Sequence, residues 1–160
     1  MKKWKKCMWA IIAMVISFLP GIFGVLFTPH GASNVWYNGL VKSALTPSGW
    51  VFSVAWTILY ILLGWALYLI IQSSKNQRNK MRAYTLFTVQ LVLNGAWAYI
   101  FFGAHLPAFA LVTLLVLFGV SVWMARVFYG ISRPAAYLVI PYLLWMMFAF
   151  YMNAFITLMN

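Results

Sequence analysis

The chain has 160 residues, of which 66% are hydrophobic and 7% charged. Soluble domains run near 45–50% apolar and about 25% charged, so this chain has too little polar surface to cover a core in water and belongs in lipid. Lys and Arg together number 11 and Asp and Glu number 0, which excludes carboxylate acid–base catalysis, hard-cation cages and intramembrane acid relays.

The pattern predicts an all-α membrane protein, a single domain over 1–160 made of five transmembrane helices with a long loop between the first two. The first span covers about residues 7–27, behind Lys2, Lys3, Lys5 and Lys6. It is too long for a signal-peptide core and ends in bulky Val25-Leu26-Phe27, so it reads as a retained helix. Ser17, Pro20, Gly21 and Gly24 form a small-residue stripe suited to a close helix contact, with a kink expected at Pro20. Residues 28–48 form the long polar loop, with Pro29, Gly31, Trp36, Tyr37 and Pro47. The remaining spans are expected at about 49–71, 83–103, 107–128 and 135–158. The turn Ala104-His105-Leu106 makes the third and fourth a tight hairpin.

Charge placement sets an expected orientation. The N-terminus, the linker with Lys75, Arg78, Lys80 and Arg82, and the ends carrying Arg126 and Arg133 share one side, whereas Lys42 stands alone on the other. This asymmetry puts the N-terminus in the cytoplasm and the C-terminus outside. Cations clustered at span ends point to the lipid bilayer as partner and not to nucleic acid. Cys7, His30 and His105 are too few for a closed zinc site, so no metal site is expected.

Nine tryptophans is an unusual number for this length. Trp4, Trp9, Trp36, Trp50 and Trp123 fall near span ends, where an aromatic belt accounts for them. Trp56, Trp65, Trp97 and Trp145 lie deeper, and a buried indole seeks an acceptor. Gln90, Asn94, Trp97 and Phe101 share one face of the third span; Trp145, Ala149 and Asn153 share one of the fifth; Ser53, Trp56, Thr57 and Tyr60 share one of the second. Polar side chains in lipid turn inward, so the three faces are expected to converge. Two readings stay open here: amides that bond helix to helix, or an aromatic pocket for a flat, mostly apolar ligand. Val127, Tyr129 and Arg133 match the loose cholesterol consensus, and Ser121 and Ala125 a small-residue spacing; chance accounts for either.

Three stretches carry a family resemblance: Trp36-Tyr37 through Thr46-Pro47-Ser48-Gly49-Trp50 to Trp56-Thr57-Ile58-Leu59-Tyr60; Gln90-Leu91-Val92-Leu93-Asn94-Gly95-Ala96-Trp97 to Gly103; and Pro141-Tyr142-Leu143-Leu144-Trp145 with Phe148, Ala149, Asn153 and Asn160. In this order and spacing the chain resembles the tryptophan-rich sensory protein and translocator protein (TspO/MBR) family over essentially its whole length. The resemblance implies a five-helix bundle, commonly a homodimer, with a cavity closed by the first loop. It implies porphyrin or another tetrapyrrole as ligand, with sterols and benzodiazepine-type compounds as further classes, and no covalent cofactor. Trp56 and Trp145 match the family's cavity tryptophans, Asn94 and Trp97 the third-helix cavity face, Ala149 a ligand-contacting position, and Trp36 and Tyr37 the loop aromatics.

With Tyr60, Gln90, Phe101 and Asn153 from the converging faces, these residues form the candidate ligand site. No catalytic residue is assigned; Trp56 and Trp145 would act only if the protein degrades porphyrin in light, as some bacterial members do. A third alternative is a transporter or scaffold that recognises no small molecule. Lys42, His30 and His105 are the loop-side candidates to pair with a ligand's propionates. The expected location is a bacterial plasma membrane.

The departures concern the loop. The family usually reads Lys-Pro-Ser-Trp-Thr-Pro-Pro where this chain has Lys42-Ser43-Ala44-Leu45-Thr46-Pro47-Ser48, so a looser lid is expected. Phe150 replaces a common threonine, and no basic residue follows Tyr151, which leaves the animal sterol motif incomplete.

Overall fold

A computed structural model describes residues 3–28 and 35–160. The elements in chain order are α1 (Lys3–Val25), α2 (Val35–Gly39), α3 (Gly49–Gln72), α4 (Gln77–Ala98) continued by a π-helical turn (Tyr99–Gly103), α5 (Pro107–Ile131), α6 (Arg133–Tyr137) and α7 (Ile140–Met159). The described residues contain no strand. Five segments are long and apolar enough to cross a membrane, the fifth being α6 and α7 together.

Several boundaries lie outside the expected spans, and each has a local cause. Lys3, Lys5 and Lys6 are part of α1 itself, because a lysine stem packs along a helix while its ammonium reaches water. α4 begins at Gln77, ahead of the expected 83, where Asn76 Oδ1 accepts from the Asn79 backbone N–H at 3.0 Å and caps the first turn. Lys80 Nζ reaches back to the Ile71 carbonyl at 2.9 Å, satisfying an orphan acceptor at the end of α3. The fifth span is not one helix. Pro141 has no N–H to offer the Tyr137 carbonyl, so α6 ends there and the chain restarts at Ile140 with Pro141 in the first turn.

The expected long loop is also interrupted. α2 occupies Val35–Gly39 within it, and residues 40–48 cross the end of the bundle. Pro29, His30 and Gly31 lie outside the described residues.

The five long segments pack as a closed ring in the order α3, α1, α4, α5, α6–α7 and back to α3. The small-residue stripe of α1 makes the α1–α3 contact. Ser17, Pro20 and Gly24 are buried, and Ser17 Oγ bonds the Tyr60 carbonyl at 2.8 Å. A Cβ at Gly21 would sit 2.6 Å from the Tyr60 ring, and one at Gly64 would sit 2.7 Å from Met14 Sδ and 3.1 Å from the Met14 backbone. α1 runs on as helix through Pro20. The outer faces carry Ile11, Ile22, Val92, Phe109 and Leu144, all exposed, a surface suited to hydrocarbon and not to water.

The α1–α3 contact leaves no room for a methyl group. Gly64→Ala is expected to destabilise the bundle by about 1–3 kcal/mol through overpacking, whereas Gly119→Ala, with nothing within 4 Å of the added carbon, is expected to be neutral. Thermal unfolding of the two variants in detergent checks the difference.

Candidate ligand-binding site

Polar side chains in a lipid-embedded bundle must find their partners inside the protein. The Tyr60 hydroxyl of α3 donates to Asn94 Oδ1 of α4 at 3.1 Å, and Asn94 Nδ2 donates to the Tyr142 hydroxyl of α7 at 2.8 Å. The Tyr142 hydroxyl donates in turn to Gln90 Oε1 at 3.1 Å. All four side chains are buried. Lower on the same seam, the Trp97 indole N–H donates to Asn153 Oδ1 at 3.2 Å, and Asn153 Nδ2 donates to the Pro107 carbonyl at 2.8 Å. Asn94 and Asn153 therefore bond helix to helix, the first of the two readings left open by the sequence. Gln90 Nε2 is buried with no partner among the described residues.

An aromatic pile runs from this network to the lid. Trp56 stacks on Tyr60 with centroids 5.4 Å apart and lies 6.3 Å from Trp97. Trp97 stacks on Phe101 at 5.8 Å. The π-helical turn sets Phe101 inward, where Trp36 meets it edge-on at 5.7 Å and Tyr37 at 6.4 Å. Trp36 stacks on His105 at 4.2 Å, and His105 holds a φ of 57°, a left-handed conformation that closes the short turn into α5. Burial pushes the Tyr37 hydroxyl pKa up from its ordinary value.

The lid is fastened by polar bonds. Asn160 pairs with the Val41 backbone, accepting at 2.9 Å and donating at 3.2 Å. Ser43, expected to loosen this stretch, anchors it: its hydroxyl lies 2.8 Å from the Tyr151 hydroxyl and accepts from the Leu45 N–H at 3.2 Å. Lys42 Nζ donates to the Tyr37 and Leu40 carbonyls at 2.7 and 3.0 Å and sits 4.9 Å from the Tyr37 ring centre. Its ammonium caps α2 rather than standing free for a propionate. His105 is stacked on Trp36, and His30 lies outside the described residues.

Trp145 stands apart from the pile. It meets Phe52 at 5.9 Å and Phe148 at 5.7 Å, and lines a groove of about 400 Å³ between α3 and α7 with Ala55, Ile58, Leu59, Pro141, Leu144 and Phe148. Its indole N–H is buried and has no acceptor among the described residues. Ala149 is buried in the core one turn further on. The structure thus joins Trp36, Tyr37, Trp56, Tyr60, Gln90, Asn94, Trp97, Phe101 and Asn153 in one continuous assembly, and sets Trp145 on a separate wall. The reading from sequence missed Tyr142, which is fully buried and bridges two amides. Its signal was position: Tyr142, Met146, Ala149 and Asn153 recur on one face of α7, and all four are buried.

A five-span bundle with an apolar exterior, an amide–tyrosine seam and a lid of loop aromatics defines a polytopic membrane protein with an aromatic interior. The chain belongs to the TspO/MBR family, whose sequence profile matches residues 10–159. It is 37% identical to the tryptophan-rich protein TspO of Chlorobaculum tepidum over 140 residues, 88% of either chain. It is 35% identical to the protein of that name from Archaeoglobus fulgidus over 151 residues, 94% of this chain and 96% of the relative. The human translocator protein is 38% identical over 125 residues, 78% of this chain and 74% of that one. The chain is an integral membrane protein.

Asn94 holds two tyrosines from two other helices. Asn94→Ala is expected to lower stability by about 1–3 kcal/mol, since it strands buried hydroxyls. Thr113→Ala removes only a bond to the Phe109 carbonyl of its own helix and is expected to have little effect. Thermal unfolding in one detergent compares the two.

Proposed function

We propose that the protein binds flat, mostly apolar ligands of the porphyrin or wider tetrapyrrole class at the α3–α7 groove, in a sensory, regulatory or transport role. The observation that carries this reading is the Trp145 indole N–H, buried without an acceptor on the wall of an apolar groove. A buried donor with no partner costs about 1–3 kcal/mol, and a ligand oxygen or nitrogen would relieve that cost. The groove, at about 400 Å³, falls within the roughly 300–1,000 Å³ of small-molecule sites. Phe52 and Phe148 flank the indole and offer ring faces to a planar ligand.

The family supports the reading: the human relative is named a translocator protein, and the Chlorobaculum relative a tryptophan-rich protein. In this proposal the residue chemistry is recognition: Trp145 orients the ligand, Phe148 and Leu144 exclude water, and the Asn94 seam keeps α3 and α7 at their spacing. Sterols or benzodiazepine-type compounds would use the same walls. The proposed assembly is a homodimer in a bacterial plasma membrane, with the N-terminus cytoplasmic. Lys42 as the one cation on the opposite side supports that orientation.

Protoporphyrin IX titrated into the purified protein in detergent is expected to quench tryptophan fluorescence saturably in the dark. Trp145→Phe keeps the ring but removes the donor, and is expected to weaken binding roughly fivefold or more, one neutral hydrogen bond's worth. Linear quenching that the substitution leaves unchanged would mean partitioning into the micelle and would overturn the proposal. Light-driven loss of the porphyrin Soret band that Trp145→Phe abolishes would favour tryptophan-dependent breakdown over binding alone.

A further inference from the structure

The corner between α5 and α6 carries a cluster that ligand binding at the groove does not use. The Arg133 guanidinium carbon lies 5.4 Å from the Tyr129 ring centre, and the Tyr129 and Tyr137 rings meet edge-on at 6.2 Å. Tyr129 is 48% and Tyr137 56% exposed, and both Arg126 and Arg133 are exposed. Arg126 stands three residues before Tyr129 and so shares its helix face. Neither arginine bonds a protein acceptor among the described residues. The chain holds no Asp or Glu, so no side chain of this protein, or of a second copy of it, can neutralise them.

We propose that Arg126, Tyr129, Arg133 and Tyr137 form a site on the outer face of this corner for the phosphate headgroup of an anionic phospholipid. A guanidinium beside an aromatic ring keeps its in-plane N–H donors directed outward, and their fork matches two phosphate oxygens. Tyrosine rings at a span end sit at headgroup depth, with the hydroxyl in the polar layer. The α3–α4 corner lacks these features: Lys80 is spent on the Ile71 carbonyl, and Lys75, Arg78 and Arg82 are in no cation–ring contact among the described residues. Both corners attract anionic lipid by charge, but of the two only the α5–α6 corner sets a guanidinium on a tyrosine ring, and Lys5, 5.6 Å from the Trp4 ring centre in α1, is an ammonium without that fork. A second copy docked here would bring like charges together, and the sterol pattern over Val127, Tyr129 and Arg133 supplies no account of Arg126.

Native mass spectrometry of the full chain, released from detergent with equimolar phosphatidylglycerol and phosphatidylcholine, tests the site. Wild type is expected to retain phosphatidylglycerol in preference. A fork-held guanidinium–phosphate contact is expected to change affinity roughly tenfold or more, so Arg126→Gln with Arg133→Gln is expected to reduce retention at least about a hundredfold. Lys75→Gln with Arg78→Gln removes equal charge but only the diffuse attraction, roughly fivefold per cation at most, and is expected to reduce retention by no more than about twenty-five-fold. Arg133→Lys keeps the charge but loses the fork, and is expected to retain an intermediate amount. Equal losses in the two double variants would reduce the site to a diffuse charge effect and overturn the proposal. So would equal retention of phosphatidylcholine, preferential retention of cholesterol when it is added, or a dimer lost in the arginine variants. Unchanged melting temperatures of these surface variants keep a folding defect from passing as lipid loss.

Discussion

Hydrocarbon offers no hydrogen bonds, and that constraint organises this bundle around Asn94. One amide on α4 accepts from Tyr60 of α3 and donates to Tyr142 of α7. The aromatic pile builds on that arrangement. Trp56 lies against Tyr60 because Asn94 holds the Tyr60 hydroxyl, and Tyr142 stands edge-on to Trp56 at 6.2 Å because the same amide holds Tyr142. Direct contact between α3 and α7 is sparse: α3 packs mainly on α1 and α7 on α5, and α6 and the Asn94 hydrogen bonds join the two sides. A groove opens where two helices are held near each other without being packed together.

The lid follows the same logic at the bundle's end. α2 is too short to be stable alone, yet Trp36 and Tyr37 bury against Phe101 and Phe102, and Lys42 satisfies the carbonyls at its end. Asn160 closes the arrangement by pairing with Val41, which brings the last residue onto the first connection. Trp36 on His105 adds the α4–α5 turn, so two connections and Asn160 at one end form one surface. The other end holds the lysines of α1 and the α3–α4 and α5–α6 corners, all cationic.

The spans, the small-residue stripe of α1 and the inward amides were legible in the sequence, because lipid leaves few options for Gln90, Asn94 and Asn153 once the helices are placed. The aromatic order from Trp56 to Trp36 was legible for a similar reason: side chains one turn apart on one face must stack or splay. What was hidden depends on distances between elements. Tyr142 reads as one more ring in an apolar run until α4 is set against it. Ser43 reads as a missing proline until Tyr151 is placed 2.8 Å away. Trp145 reads as a partner of Trp56, since both lie deep in their spans, but the break before Ile140 sets α7 so that Met146 points inward and Trp145 lies at the edge. Pro141 was visible as a residue, and its effect on helix continuity was the cue left unused.

The deep tryptophans divide the labour: Trp97 is committed to Asn153, whereas Trp145 carries a donor without an acceptor among the described residues. Nuclear magnetic resonance of the protein with ¹⁵N-labelled indoles separates them directly. On addition of protoporphyrin IX, the Trp145 indole N–H resonance is expected to move downfield saturably, as a new acceptor arrives, while that of Trp97 stays in place. A Trp97 shift with Trp145 unmoved, or small shifts spread evenly over all nine indoles, would contradict the account.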